Sequence, residues 1–245
     1  MMCIILAAGY ATRLYPLTQN FPKPLLKIRD KTILDLLIDD IETTKEVSEY
    51  IVVTNHKYYN HFLEWSKTKT VNISIIDNGT ETNETRLGAV KDIQFAVKQK
   101  NIKEDLLIIA GDNILDFSLG HFINYTKNKK TSCVMRYYEP SLERLKKCGV
   151  LTVDDDDLVT DMTEKSLTPA TNWCCPPFYY ITENNLALID IAIEQGCNVD
   201  SPGSLIVWLC KHTYIYAMEM QGNRYDIGDL ESYEGVHREY RGIIG

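Results

Sequence analysis

The sequence predicts an α/β fold: a three-layer, doubly wound, mostly parallel sheet with a smaller second lobe. Three observations carry this. Apolar runs at Cys3–Leu6, Tyr50–Thr54 and Leu106–Ala110 read as strands buried on both faces, as parallel strands are. Segments of helical periodicity stand between them, and strand–helix alternation implies right-handed parallel crossovers. The 245 residues suffice for a sizeable core, so we expect one domain whose first half runs to about residue 112 and whose second covers 113–245.

Each element has its own signal. Ile33, Leu34, Leu37, Ile38 and Ile41 recur at helical spacing with Asp39, Asp40 and Glu42 opposite, which predicts an amphipathic helix over about residues 32–43. The polar segment Tyr59–Lys67 reads as a helix, and Val71–Asp77 alternates like a strand before the turn Asn78-Gly79. Leu87–Val97 is helical again, and Leu106–Ala110 ends at Gly111-Asp112-Asn113. After Tyr138 the pattern changes. Gly149–Val153 and Leu158–Thr163 read as strands flanking four aspartates, Asp154 to Asp157, better read as a solvated hairpin turn than as a metal site. Phe178–Ile181 and Tyr214–Met220 read as strands; Leu186–Ile193, Leu205–Lys211 and Leu230–Tyr240 read as helices. There is no linker, internal repeat or low-complexity tract.

The chemistry gathers where the first strand ends. The chain runs Leu6-Ala7-Ala8-Gly9-Tyr10-Ala11-Thr12-Arg13-Leu14, then Pro16-Leu17-Thr18, then Pro22-Lys23-Pro24. Small residues let backbone N–H groups approach phosphate oxygens, and fixed cations neutralise the charge. The loop is neither a P-loop nor a dinucleotide fingerprint, since it lacks Gly-Lys-Ser/Thr and two of three glycines. A plain strand-to-helix loop with solvated cations is the competing reading, but two cations and bracketing prolines are more order than that requires. Asp112 stands at the carboxyl end of a parallel strand, where open α/β sheets bind ligands; a turn or helix-cap aspartate is the alternative.

These residues resemble the signature of the nucleotidylyltransferases, Leu-Ala-Ala-Gly-x-Gly-Thr-Arg-Leu followed by Pro-x-Thr and Pro-Lys-Pro. That family joins a nucleoside triphosphate to a sugar 1-phosphate or related phosphomonoester and releases pyrophosphate; glucose-1-phosphate thymidylyltransferases and phosphocholine cytidylyltransferases are relatives. One position departs: Ala11 replaces the second Gly, and a φ above zero there would strain it. The resemblance extends along nearly the whole chain. It implies a Rossmann-like nucleotidyltransferase fold with a nucleotide-binding first half and an acceptor-binding second half. It assigns catalysis to Arg13 and Lys23, and nucleotide binding to Leu6, Ala7, Ala8, Gly9, Gly88 and Asp112. Mg²⁺ falls to Asp112 and to Asp226 of Asp226-Ile227-Gly228. Lys165 would grip the acceptor's phosphate, although Ser166 stands where relatives carry Pro.

Two regions depart further. Asn78–Ala89 lacks the glutamine that reads a base, offering Thr82, Asn83 and Arg86 instead, so the base stays open. Around the acceptor, sugar-using relatives carry Asn-x-Gly-x-Tyr where this chain has Asn172-Trp173-Cys174-Cys175-Pro176-Pro177-Phe178-Tyr179. Trp173 and Tyr179 are the expected acceptor contacts. A sugar 1-phosphate leads; a CTP-dependent reaction on phosphocholine, glycerol phosphate or a phosphoamide is the alternative.

Composition bounds the partners. A formal net charge of −8 and a pI near 5.2 argue against nucleic acid. There is no apolar run of about 18 residues and no signal-peptide pattern at the start. Seven cysteines without a Cys-x-x-Cys pair suit reduced thiols, so a cytoplasmic protein with small substrates and no membrane partner is expected; a homo-oligomer stays open. Two other classes were weighed. A non-catalytic nucleotide-binding regulator would not need the complete set Arg13, Lys23, Asp112 and Asp226. A glycosyltransferase would carry Asp-x-Asp where this chain has Asp112-Asn113-Ile114.

Overall fold

The computed structural model describes residues 1–243. In chain order, β1 (Met2–Leu6) leads to a ribbon of β2 (Lys27–Ile28) and β3 (Lys31–Thr32), then α1 (Ile33–Glu42), β4 (Glu49–Thr54), α2 (Tyr59–Ser66) and β5 (Ile73–Asp77). There follow α3 (Ala89–Lys100), β6 (Leu106–Ala110), β7 (Asn113–Leu115), α4 (Gly120–Lys129) and β8 (Ser132–Tyr138). Then come α5 (Leu142–Leu145), β9 (Gly149–Val153), β10 (Val159–Glu164), β11 (Trp173–Cys175) and β12 (Phe178–Ile181). The chain closes with α6 (Ala187–Glu194), α7 (Gly203–Leu209), β13 (Ile215–Glu219), β14 (Arg224–Asp226) and α8 (Leu230–Glu239). Among the described residues, no helix is long and apolar enough to cross a membrane.

The chain groups into two compact units. The first comprises Met1–Arg86, Ile109–His121 and the chain from Gln221 onward; the second comprises Leu87–Ile108 and Phe122–Met220.

In the first unit, β4 pairs in parallel with β1 on one side and β5 on the other, from Met2↔Glu49 to Leu6↔Val53 and from Tyr50↔Ile73 to Thr54↔Asp77. Cys3, Ile4, Ile5 and Ile51 to Val53 are fully buried, as strands without a polar face require. The α1 helix starts where the periodicity predicts, because Thr32 and Asp35 form a capping box: each side chain bonds the other's backbone N–H at 3.0 Å. Its apolar stripe, Ile33, Leu34, Leu37, Ile38 and Ile41, is buried. A second pairing joins distant sequence: β7 runs antiparallel to β14, with Asn113 opposite Asp226 and Leu115 opposite Arg224. Buried Asp116 clamps this ribbon, accepting Asn223 N–H at 2.6 Å and Asn223 Nδ2 at 2.8 Å.

The second unit is mainly antiparallel. Strand β8 pairs in parallel with β13 and antiparallel with β11 and β12, and β9 lies antiparallel to both β11 and β10. The four-aspartate run is a turn, as expected. Asp154 Oδ1 accepts the N–H groups of Asp156 (3.0 Å) and Leu158 (2.9 Å), and Asp157, at φ 68°, pairs with Arg136 Nη2 at 2.7 Å. Sequence patterning is silent on α4, β8 and β11. In β8 the apolar run Cys133–Met135 is cut short by Arg136, whose charge is met by Asp157 only in the folded chain.

Candidate active site

The loop after β1 is held from beneath. Ala7 N–H donates to Val53 O at 2.9 Å, extending the ladder by one residue. Buried Asn55, just past β4, donates from Nδ2 to Ala8 O at 2.9 Å, and its Oδ1 accepts Tyr58 N–H at 3.1 Å. Thr18 Oγ1 donates to Ala11 O at 2.7 Å, and the Tyr58 hydroxyl donates to Thr18 O at 2.7 Å. Gly9 stays exposed, with no heavy atom within 4 Å of where a Cβ would stand. The loop is thus tied on its inner side and open outward, as backbone approach to a phosphate demands. Ala11 does sit in the left-handed region, at φ 46° and ψ 43°, so the substitution for Gly is paid in local strain.

The two loop cations differ. Lys23 opens a single 3-10 turn between Pro22 and Pro24, and its side chain, only 10% exposed, reaches Asp112 Oδ2 at 2.8 Å. Arg13 is exposed and has no hydrogen-bond or ion-pair partner among the described residues. Its charge and that of Lys23 are both felt at Asp229, the N-cap of α8. The Asp229 carboxyl is held below the ordinary range first by its bonds to Ser232 and then by these two cations.

Asp112 is half-buried. Burial pushes its carboxyl up, but the Lys23 ammonium and, less strongly, Arg224 more than offset this and keep it below its ordinary value. Its Oδ1 accepts Asn113 Nδ2 at 2.7 Å, and Asn113 Oδ1 in turn accepts Arg224 Nη1 at 2.5 Å. Asp226 is exposed, with Arg224 Nη1 3.8 Å from its carboxylate. The β7–β14 ribbon therefore brings the two expected metal ligands into one network. Among the described residues no group of three or more His, Cys, Asp or Glu side chains forms a closed metal cage. Two carboxylates on one ribbon beside an anion-ready loop fit Mg²⁺ in its usual manner, held by one or two carboxylates with water and substrate phosphate completing the shell. Asn55, Asn113 and Arg224 were not anticipated. Asn113 directly follows Gly-Asp and Asn55 directly follows a predicted strand, so position alone offered a signal for those two; Arg224 offered none.

The remaining expected residues lie in the second unit. Lys165, at φ 51°, follows β10; its N–H donates to Cys148 O at 2.9 Å and its Nζ to Ser201 Oγ at 2.7 Å. Burial raises the neighbouring Glu164 carboxyl, opposed by Lys165 and by a bond from Ser201. Trp173 is partly exposed, edge-on to Tyr138 at 5.6 Å, with the Arg136 guanidinium 4.9 Å from its ring centre. One expectation changes. Tyr179 is 1% exposed and packs the core of its unit instead of presenting a ring to a ligand. Gly88 is buried where α3 begins, at φ +93°; a Cβ there would run into the Val199 carbonyl, whose oxygen accepts Val90 N–H at 3.0 Å. This close backbone approach by itself requires a glycine. Thr82, Asn83 and Arg86, in the first unit, hold their own short turn, Arg86 Nη1 donating to Asn83 O at 2.9 Å.

The family description "Nucleotidyl transferase" matches residues 2–242. The chain belongs to the nucleotidyl transferase family. It is 31% identical over 230 residues to the bifunctional protein GlmU of Methanococcus aeolicus, covering 93% of this chain and 51% of that protein. It is 24% identical over 209 residues to the UTP–glucose-1-phosphate uridylyltransferase AglF of Haloferax volcanii, covering 83% of this chain and 78% of that protein. Across three curated relatives it matches, the chain spans between 51% and 62% of their length. A solved structure of UDP-glucose pyrophosphorylase complexed with UDP-glucose superposes with a TM-score of 0.82 at 20% identity, covering 98% of each chain, and bears out the α/β fold class.

Proposed function

We propose that this nucleotidyl transferase joins a nucleoside triphosphate to a sugar 1-phosphate and releases pyrophosphate. The observation that carries the reading is the convergence, within one unit, of a tethered open loop, the Lys23–Asp112 pair and the ribbon that sets Asp226 beside Asn113. An acceptor phosphate oxygen attacks the α-phosphorus, and the bond to pyrophosphate breaks. A phosphate is already a nucleophile, so no covalent enzyme intermediate is required and catalysis reduces to positioning and charge neutralisation. The backbone of Leu6 to Gly9 cradles the triphosphate. Arg13, exposed and without a hydrogen-bond or ion-pair partner among the described residues, meets the charge that grows on the departing pyrophosphate. Lys23 bridges from Asp112 to the phosphates. Asp112 and Asp226 are the residues to hold Mg²⁺, which when bound supplies further neutralisation at the α-phosphate. Arg224 and Asn113 keep the Asp112 carboxylate oriented. Lys165 and Trp173 are assigned to the acceptor, on their order along the chain.

The test is a matrix of the common nucleoside triphosphates against sugar 1-phosphates, phosphocholine and glycerol phosphates, read by pyrophosphate release with Mg²⁺. Release with a sugar 1-phosphate and one or two preferred bases is expected. Release only with a non-sugar acceptor, or with none, overturns the reading.

A further inference from the structure

The second unit carries a thiol cluster that the reaction above does not use. Cys148 lies in the turn between α5 and β9, partly exposed, with its Sγ 3.6 Å from the Tyr137 hydroxyl. Cys174 is fully buried in β11. Strand register sets Cys174 opposite Tyr137 of β8 and opposite Val150 of β9. Cross-strand partners share a face, so Val150, Cys174 and Tyr137 project to the same side, and Cys148 packs against them from the turn before β9. Leu145 and Val150 pack with the buried Cys174 in one small apolar cluster, and Tyr137 and Cys148 pack against it. Cys175, next along the strand, faces the other way.

We propose that Cys148 and Cys174 form a reversible dithiol–disulfide site that takes a low-molecular-weight disulfide as its oxidant. The exposed partner reacts first. The Cys148 thiolate attacks one sulfur of the small disulfide, an S–S bond forms, and the first small thiolate leaves. Cys174 then gives up its proton to that thiolate and attacks Cys148 Sγ, expelling the second small thiolate, which takes up the proton that Cys148 released to solvent. In sum, two protein thiols are oxidised to one disulfide and the small disulfide is reduced to two thiols. The second step is intramolecular, so no reagent need enter the cluster; Cys148 and burial push the Cys174 thiol up, which slows this step but leaves it first-order.

The site also reaches the acceptor side, a consequence that rests on the reading of Lys165 given above. An unstrained disulfide holds its two Cα atoms about 4.4–6.8 Å apart. Closing the bridge therefore fixes the backbone at both cysteines, and any adjustment falls on the less constrained one. Cys174 is pinned between two strands, whereas Cys148 lies outside β9, so Cys148 moves. Its carbonyl is the one that accepts Lys165 N–H.

The experiment treats the full chain with glutathione disulfide under native conditions, blocks remaining thiols with N-ethylmaleimide, and maps the peptides by mass spectrometry beside steady-state kinetics. The expected result is loss of two of the seven free thiols, a Cys148–Cys174 cross-linked peptide, and reversal by dithiothreitol. The acceptor KM should rise about tenfold or more, as for loss of one charge-assisted contact, with the triphosphate KM unchanged. Cys148→Ser, at a partly exposed position, should keep basal activity and lose both the bridge and the response. No bridge, or a bridge joining Cys175 or Cys210, overturns the proposal. A mapped Cys148–Cys174 bridge with an unchanged acceptor KM upholds the site and overturns the assignment of Lys165 to the acceptor, so the two failures are told apart.

Discussion

At Asp112, one carboxylate faces a lysine, an asparagine amide and the proposed place of a metal, and on that reading its removal separates catalysis from folding. Asp112→Asn keeps the shape but removes the charge opposite Lys23, and Asp226→Asn removes the second charge. Each variant should lose about 10²–10³ in turnover with Mg²⁺ while remaining folded by circular dichroism; normal turnover at low Mg²⁺ would remove that residue from the site. Arg13→Ala should lower turnover more than triphosphate affinity, because its charge is matched only as pyrophosphate departs. Backbone conformation supplies a second residue-scale contrast. Ala11 occupies a left-handed conformation that Gly adopts freely, so Ala11→Gly should leave stability unchanged or raise it by up to about 1 kcal/mol, the relief being partly cancelled by unfolded-chain entropy. Gly88→Ala at φ +93° against the Val199 carbonyl should lower stability by about 2 kcal/mol or more. Urea denaturation of both variants checks the pair. The strain at position 11 was foreseeable from the signature, which has Gly there. The reason for Gly88 was not, because the Val199 backbone reaches it only once the chain is folded.

Among the elements, α1 shows how local signals and distant contacts share one residue. Asp35 closes the capping box and also accepts Trp65 Nε1 at 3.0 Å and Lys69 Nζ at 2.5 Å. Burial alone would raise its carboxyl, but Lys69, Thr32 and Trp65 together hold it below the ordinary 3.8. A carboxyl lowered on folding contributes stability that is present above the unfolded value and is lost as pH falls through the folded one. The wild-type chain should therefore lose stability below about pH 4 relative to Asp35→Asn, which should itself be less stable by about 1 kcal/mol or more at pH 7. Urea titrations of both proteins between pH 7 and pH 3 test this, and parallel curves would refute it. The helix and its buried stripe were legible because both are written within a dozen consecutive residues; the capping box was seen only in the structure. The β7–β14 ribbon was not, because three-residue strands carry no period and their pairing is a long-range event.

Taken as a whole, the molecule is acidic. A net charge of −8 should keep it from being retained on a heparin matrix at about 0.1 M salt, where polyanion binding needs a basic face; retention would point to a partner outside the small-molecule reading. The sequence by itself determined the fold class, the order of most strands and helices, the anion-ready loop and the family, because apolar period and turn chemistry are local and the signature is contiguous. Only the tertiary structure decided that Asp226, near the end of the chain, shares a network with Asp112, that Arg224 and Asn113 orient it, and that Tyr179 is core. The physical reason is common to all three. Burial and ion pairing depend on which distant segments are hydrogen-bonded side by side, and a side chain's own sequence neighbours do not record that.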